Sequence, residues 1–138
     1  MDARLERAEL LRGLYETWAA SRGAENPFLP HIADTVAWHS LADGAQGVEF
    51  SARITCRNDV LRYFERLGQD WSMDHCTVED VLVDGDRAVV ICHCGWTNRH
   101  TGKSVATPKA DVLVFDGDTI VKVTEFYDTA GAIAAATP

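Results

Sequence analysis

The stretch that decides the fold is residues 78–128, VEDVLVDGDRAVVICHCGWTNRHTGKSVATPKADVLVFDGDTIVKVTEFYD. Its β-rich segments are separated by short polar turns, each with a central glycine that can adopt positive φ at no steric cost. The turns are Asp84-Gly85-Asp86, Thr101-Gly102-Lys103 and Asp116-Gly117-Asp118. We therefore predict an antiparallel meander of four strands after Trp71, at about residues 73–83, 87–98, 104–115 and 119–127.

The residues before this meander are mostly helical in pattern. Residues 1–23 predict a first helix, because Leu11, Tyr15 and Trp18 share one stripe at helical spacing. Asp2 suits the N-cap of this helix, and Gly23 suits its end.

Shorter elements follow the first helix. We predict a short helix at residues 27–33, a short strand at 35–39, and a helix at 58–67 that ends at Gly68. Val60, Phe64 and Leu67 form the buried stripe of the later helix. The alanine-rich residues after Asp128 predict one or two helical turns, and the fold class is α+β with a single domain over residues 1–138.

The predicted strand at residues 87–98 is apolar on both faces. Such a strand needs cover on both sides, and the helices can cover only one. A second copy of the chain is the expected cover for the other face, so we predict a homodimer.

Composition excludes several functions. The chain has 138 residues and a net charge of −8, so it lacks the basic face of a nucleic-acid binder. No apolar run approaches the ~20 residues that span a bilayer, and the charged N-terminus does not look like a signal peptide. We expect a cytoplasmic protein with no nucleic-acid or membrane partner.

The cysteines do not form a recognisable metal motif. Cys92 and Cys94 are separated by one residue, which is not the CxxC spacing of a zinc site, and two buried thiols on a strand are the favoured interpretation. Phosphate-binding glycine loops, GxSxG and HExxH are absent from the sequence. We therefore predict no metal and no cofactor.

Several segments, in this order, resemble the nuclear transport factor 2-like superfamily, and more narrowly its SnoaL-like and ketosteroid-isomerase-like proteins. They are the first helix, "ADTVAW", "DVLRYFERL", "VEDVLVDGDRAVV", "TGKSVATPKADVLVFDGDTIVKV" and "EFYDT", which together cover nearly the whole chain. The resemblance implies a cystatin-like roll, in which a curved, cone-shaped antiparallel sheet wraps around a pocket closed by the N-terminal helices. It also implies dimers formed through the outer sheet face.

The resemblance to ketosteroid isomerase implies three catalytic positions. Tyr15 and Asp111 match the tyrosine and aspartic acid of that enzyme's oxyanion hole, which is a known example of pKa tuning in an active site. His39 falls where the family's basic aspartate lies, and a histidine can also serve as a base.

A fourth candidate comes from a resemblance to limonene epoxide hydrolase. Its last strand carries a run similar to Glu125-Phe126-Tyr127-Asp128, which implies that Glu125 is an inward-facing acid. The arginine and second aspartate of that enzyme fall on Cys92 and Cys94, so we do not expect epoxide hydrolysis.

The residues themselves allow a structural alternative for each acid. Asp111 interrupts an apolar strand, which favours a pocket acid with a raised pKa, but it could instead pair with Lys109 two residues away. Glu125 could be a rim residue paired with Lys122 or Arg99.

An apolar pocket needs aromatic walls with few polar anchors. We predict that these walls include Trp18, Trp38, Phe64, Trp71, Trp96 and Tyr127. Two functions remain open. One is a cofactor-independent isomerase or cyclase that removes a proton from a small apolar carbonyl compound, and the other is a non-catalytic ligand-binding or dimerisation module.

Overall fold

Three helices and six strands make up the computed structural model, which describes residues 2–138. In chain order they are α1 (Ala3–Ala20), β1 (Ile32–Ser40), β2 (Ile54–Cys56), α2 (Arg57–Asp70), β3 (Trp71–Asp84), β4 (Arg87–Asn98), β5 (Ser104–Asp116), β6 (Thr119–Phe126) and α3 (Thr129–Ala136). The α+β class predicted from the sequence is confirmed.

The strands form one curved, open sheet in the order β2-β1-β6-β5-β4-β3. Strands β3 to β6 pair antiparallel through tight turns, as predicted for the chain after Trp71. The sheet as a whole is mixed, because β1 pairs parallel with β6. The short edge strand β2 was not predicted.

Helix α1 follows its prediction closely. The Asp2 carboxylate accepts a hydrogen bond from the Arg4 amide at 2.8 Å and so caps the helix. The apolar stripe of α1 is buried against the sheet. Gly23 has a φ of +82°, and its amide binds the Trp18 carbonyl at 2.8 Å, which completes the helix end.

Two helix predictions are wrong. Residues 27–33 form only a three-residue 3₁₀ turn, Leu29–His31, before β1 begins at Ile32. Pro30 explains this difference, since it removes an amide donor that a longer helix would need. Helix α2 also continues past Gly68 to Asp70, because a single glycine weakens a helix without ending it.

The two faces of β4 differ in burial. The inward row, which includes Ala88, Val90, Cys92 and Cys94, is at most 2% exposed beneath the helices. The outward row, Val89, Ile91 and His93, is only half-buried in the single chain. This half-covered apolar face is where the sequence predicts a second copy.

Among the residues that the structure describes, no helix has the length and apolarity to cross a bilayer.

Candidate functional site

Two buried carboxylates face each other on neighbouring strands. Asp111 on β5 pairs in register with Glu125 on β6, and the two residues are only 3% and 2% exposed. Like charges directly opposite on a sheet repel, and burial removes the water that would screen them. A cation between them would relieve this repulsion.

Lys109 supplies that cation. It lies two residues before Asp111, so strand alternation puts both side chains on the same face. The Lys109 ammonium lies 2.9 Å from Glu125 Oε2 and 3.3 Å from Asp111 Oδ2, and its side chain is 14% exposed. Burial disfavours the ammonium, but the two carboxylates outweigh it and raise the pKa of Lys109 well above its usual range. Lys109 stays charged.

Glu125 is held by two further donors. The Trp38 indole donates to Oε1 at 2.7 Å, and the Tyr63 hydroxyl lies 3.0 Å from both carboxylate oxygens. Burial, followed by the charge of Glu125, raises the pKa of Tyr63 well above its usual value. The phenol therefore keeps its proton and remains a donor.

Asp111 receives a different set of partners. The Tyr15 hydroxyl donates to Asp111 Oδ2 at 2.6 Å, and this oxygen also faces Lys109. Oδ1 is buried without a hydrogen-bond partner. Burial raises the pKa of Asp111 to about 6, because desolvation outweighs the favourable charge of Lys109.

Beside this cluster is a cavity of about 60 Å³. Its aromatic walls come from both helical and strand elements: Trp18, Phe50, Tyr63, Trp71, Trp96 and Tyr127. Lys109, Glu125, Thr107 and Cys94 supply its polar and sulfur groups. Such a lining fits a small apolar molecule with one or two polar anchors.

A second, larger cleft of about 200 Å³ adjoins the first. The two share Trp18, Leu67, Trp71 and Trp96 in their walls. Arg22 and Arg99 also line this second cleft, which puts positive charge beside the pocket of an acidic protein.

The structure places the predicted site residues in three different settings. Glu125, Trp18, Trp96 and Tyr127 line the pocket. Tyr15 and Asp111 meet as expected, but they lie behind Lys109 and are not among the lining residues. Trp38 acts through its bond to Glu125, and Phe64 lines the adjoining cleft.

His39 is not brought to this site. It follows Trp38 on β1, and since the Trp38 side chain points inward to Glu125, strand alternation directs His39 to the opposite face. His39 is absent from the lining of the pocket and of the adjoining cleft.

The sequence suggested a structural ion pair for each acid, Asp111 and Glu125, and only the one for Asp111 is present. The Asp111 pairing with Lys109 is present. The pairing of Glu125 with Lys122 or Arg99 is wrong, since Glu125 is buried and binds Lys109, while Arg99 donates to the Gly68 carbonyl.

Sequence reasoning missed two important residues, Tyr63 and Lys109 as a site residue. The apolar stripe of the helix favours Phe64 over its neighbour Tyr63, although Tyr63 is the more buried of the two. Trp71 lines both cavities, and its indole nitrogen is buried without a partner.

The sequence profile of the SnoaL-like domain matches residues 11–123. The chain belongs to the SnoaL-like family. This assignment agrees with the mixed sheet and its covering helices, and it confirms the resemblance found in the sequence. No curated protein matches the chain.

Solved structures give the same fold. An NTF2-like protein from Burkholderia thailandensis has a TM-score of 0.77 at 22% identity, with 94% of this chain and 96% of that one covered. An NTF2-like protein of unknown function from Burkholderia pseudomallei has a TM-score of 0.77 at 19% identity and the same coverage. A protein from Catenulispora acidiphila with a ketosteroid isomerase-like fold, solved in complex with trimethylamine, has a TM-score of 0.71 at 19% identity, with 91% and 97% covered. At these identities the likeness concerns the fold alone.

Proposed function

We propose that this SnoaL-like protein is a cofactor-independent enzyme that removes a proton beside the carbonyl of a small apolar compound. The observation that carries the proposal is the contact of the Glu125 carboxylate with the Lys109 ammonium on one wall of an aromatic pocket. A base and a cation held side by side are what enolate formation requires.

Lys109 is the group that would stabilise the developing enolate. Its ammonium has three protons, and two carboxylates accept only two of them. The third proton is available to a ligand oxygen in the pocket. Trp71 lines the same pocket, and its indole N–H is buried without a protein partner. These free groups favour a ligand that accepts hydrogen bonds, as a carbonyl does.

Glu125 is the group that would take the proton. An ionised carboxylate can accept about four hydrogen bonds. Trp38, Tyr63 and Lys109 supply three donors, since the Tyr63 hydroxyl carries one proton although it lies near both oxygens. One lone pair of Glu125 remains for a substrate proton. His39, which lies on the opposite strand face, is replaced in this role.

Tyr15 and Asp111 act behind Lys109 in this proposal. They position the ammonium from the side away from the pocket, and they replace the direct oxyanion contact that the family resemblance implies. Return of the proton to another carbon would complete an isomerisation, whereas attack of the enolate on a second carbonyl would complete a cyclisation.

Proton exchange tests the proposal without knowledge of the natural substrate. 2-Tetralone, an apolar aromatic ketone with acidic C–H bonds, is incubated with the protein in deuterated buffer, and deuterium uptake is followed by NMR. We expect uptake above the buffer rate that is lost in Glu125→Gln and retained in Glu79→Gln, which changes an exposed carboxylate. Uptake equal to buffer alone, or undiminished in Glu125→Gln, contradicts the proposal.

The second candidate function is a non-catalytic module that binds an apolar ligand. One observation favours it, because the three donors around Glu125 occupy most of its acceptor sites and leave little room for a substrate proton. For that function we expect 2-tetralone to quench the pocket tryptophans with no deuterium uptake above buffer.

A further inference from the structure

Three of the four cysteines converge on the inward face of the sheet. Cys76 on β3 stands directly opposite Cys94 on β4, and Cys92 lies two residues from Cys94 on the same face. The Cys94 thiol donates to the Cys76 sulfur at a distance of 3.4 Å. Cys56 lies on β2 at the other edge of the sheet, away from this cluster.

The register of β3 and β4 fits a disulfide between the opposed pair. Directly opposite residues on antiparallel strands have Cα atoms about 4.5–5.5 Å apart. A disulfide tolerates Cα separations of roughly 4.4–6.8 Å. Cys76 and Cys94 therefore need no change of strand pairing to become bonded. Cys92 is opposite Val78 instead, so its approach to Cys76 is diagonal and longer.

The members of the pair differ in access and in acidity. Cys76 is partly exposed, while Cys94 is only 1% exposed. The neighbouring thiols of Cys92 and Cys94 stabilise the Cys76 thiolate and lower the pKa of Cys76. The reachable thiol is thus the one that ionises more readily, which is the usual condition for reaction with an oxidant.

We propose that Cys76 and Cys94 are a peroxide-reactive thiol pair that closes to a disulfide in the folded protein. The Cys76 thiolate attacks one oxygen of a hydroperoxide, so an S–O bond forms and the O–O bond breaks. Cys76 becomes a sulfenic acid, and the peroxide is reduced: its other oxygen leaves as an alkoxide, takes a proton from solvent and is released as an alcohol, or as water when the oxidant is hydrogen peroxide. The Cys94 sulfur then attacks the Cys76 sulfur, and the S–S bond forms as hydroxide leaves and takes the thiol proton as water.

The site of this chemistry is next to the ligand pocket. Cys94 lines the cavity together with Lys109, and Cys92 is paired in register with Lys109 across β4 and β5. Oxidation would therefore alter one wall of the pocket by drawing the Cys94 sulfur toward β3. The proposal holds whether the pocket is catalytic or only binds a ligand, because it depends on the thiols alone.

Peptide mapping of the wild-type protein tests the pair directly. The reduced protein is treated with hydrogen peroxide, free thiols are blocked, and the chain is cut with trypsin without reduction. Cleavage after Arg66, Arg87 and Arg99 leaves Cys76 in one peptide and both Cys92 and Cys94 in the next. We expect these two peptides to be linked by a bond within one chain, which runs as a single chain in a denaturing non-reducing gel, with Cys56 still blocked as a free thiol.

Variants identify the partner. Linkage should persist in Cys92→Ala and Cys56→Ser and be lost in Cys94→Ala, with circular dichroism confirming that each variant folds. Fragmentation of the wild-type linked peptides locates the bond independently, in case Cys94→Ala does not fold. Four unchanged thiols after peroxide treatment, a Cys76–Cys92 bond, or linkage only through Cys56 between two chains each overturn the proposal.

Discussion

Asp111 stands directly opposite Glu125 on β5 and β6, yet only Glu125 reaches the ligand pocket. The Lys109 ammonium between them binds both carboxylates. It follows that Lys109 pairs with Asp111 on one side and lines the pocket beside Glu125 on the other. Stability and the proposed ligand binding should therefore depend on the same buried ion cluster.

Replacement of Lys109 should strongly destabilise the protein. Lys109→Met keeps most of the side-chain volume but leaves two opposed carboxylates buried without a cation. Removal of one partner from a buried ion pair typically costs about 3–5 kcal/mol. Urea denaturation at pH 7 measures the loss, and Lys122→Met, at an exposed lysine, is the control. Equal midpoints for the two variants would show that the cluster contributes little.

The pH dependence of the free energy of unfolding should reflect the titration of Asp111. Its pKa is raised from 3.8 to about 6, so between these values the folded protein binds more protons than the unfolded chain. The free energy of unfolding should therefore decrease as pH rises from about 4 to about 6. At ~1.4 kcal/mol per pKa unit, this shift gives up to about 3 kcal/mol.

Asp111→Asn isolates this effect from the other titrating groups. The difference in unfolding free energy between wild type and Asp111→Asn should change across this pH window, and it should be level above it. Urea titrations at several pH values provide the measurement. A pH-independent difference, or wild-type stability that rises over the window relative to the variant, contradicts the raised pKa.

The sequence predicts the strands well because their turns are marked by glycine. It does not predict the opposition of Asp111 and Glu125. Continuing the pairing of Phe115 with Ile120 back from the turn would place Asp111 opposite Thr124, with Glu125 on the other face. The register shifts between Val114 and Phe115, and this irregularity brings the two carboxylates together. No residue pattern in this stretch predicts the register shift.

The candidate site residues show the same contrast between features that the local sequence predicts and features that depend on strand pairing. Trp18, Trp96 and Tyr127 could be predicted as pocket walls because they are large aromatics on inward faces of their elements. Sequence spacing alone could not exclude His39 from the pocket, because the side of the sheet that each β1 side chain occupies depends on the parallel pairing of β1 with β6. That pairing joins residues that are far apart along the chain.

The half-buried outer face of β4 should mediate a homodimer. Ile91 lies in the centre of the outward row, so Ile91→Glu places a charge in the expected interface. Sedimentation should show a wild-type dimer and an Ile91→Glu monomer with unchanged circular dichroism. Leu5→Glu, which adds the same charge at a 58% exposed position on α1, should remain dimeric. A monomeric wild type at micromolar concentration excludes the dimer.

The last prediction compares two tryptophans whose indole N–H groups have opposite surroundings. Trp38 donates to Glu125, whereas the Trp71 N–H is buried without a partner. Replacement by phenylalanine removes a similar volume at each position, so the difference between the variants isolates the N–H. Trp38→Phe deprives a buried carboxylate of a donor, while Trp71→Phe removes a donor that costs stability, so Trp38→Phe should be the less stable by about 1–3 kcal/mol.

Trp71→Phe should bind 2-tetralone more weakly than wild type in fluorescence titrations if its free N–H serves a ligand oxygen. Equal stability of the two variants, together with unchanged binding by Trp71→Phe, would assign Trp71 to packing alone.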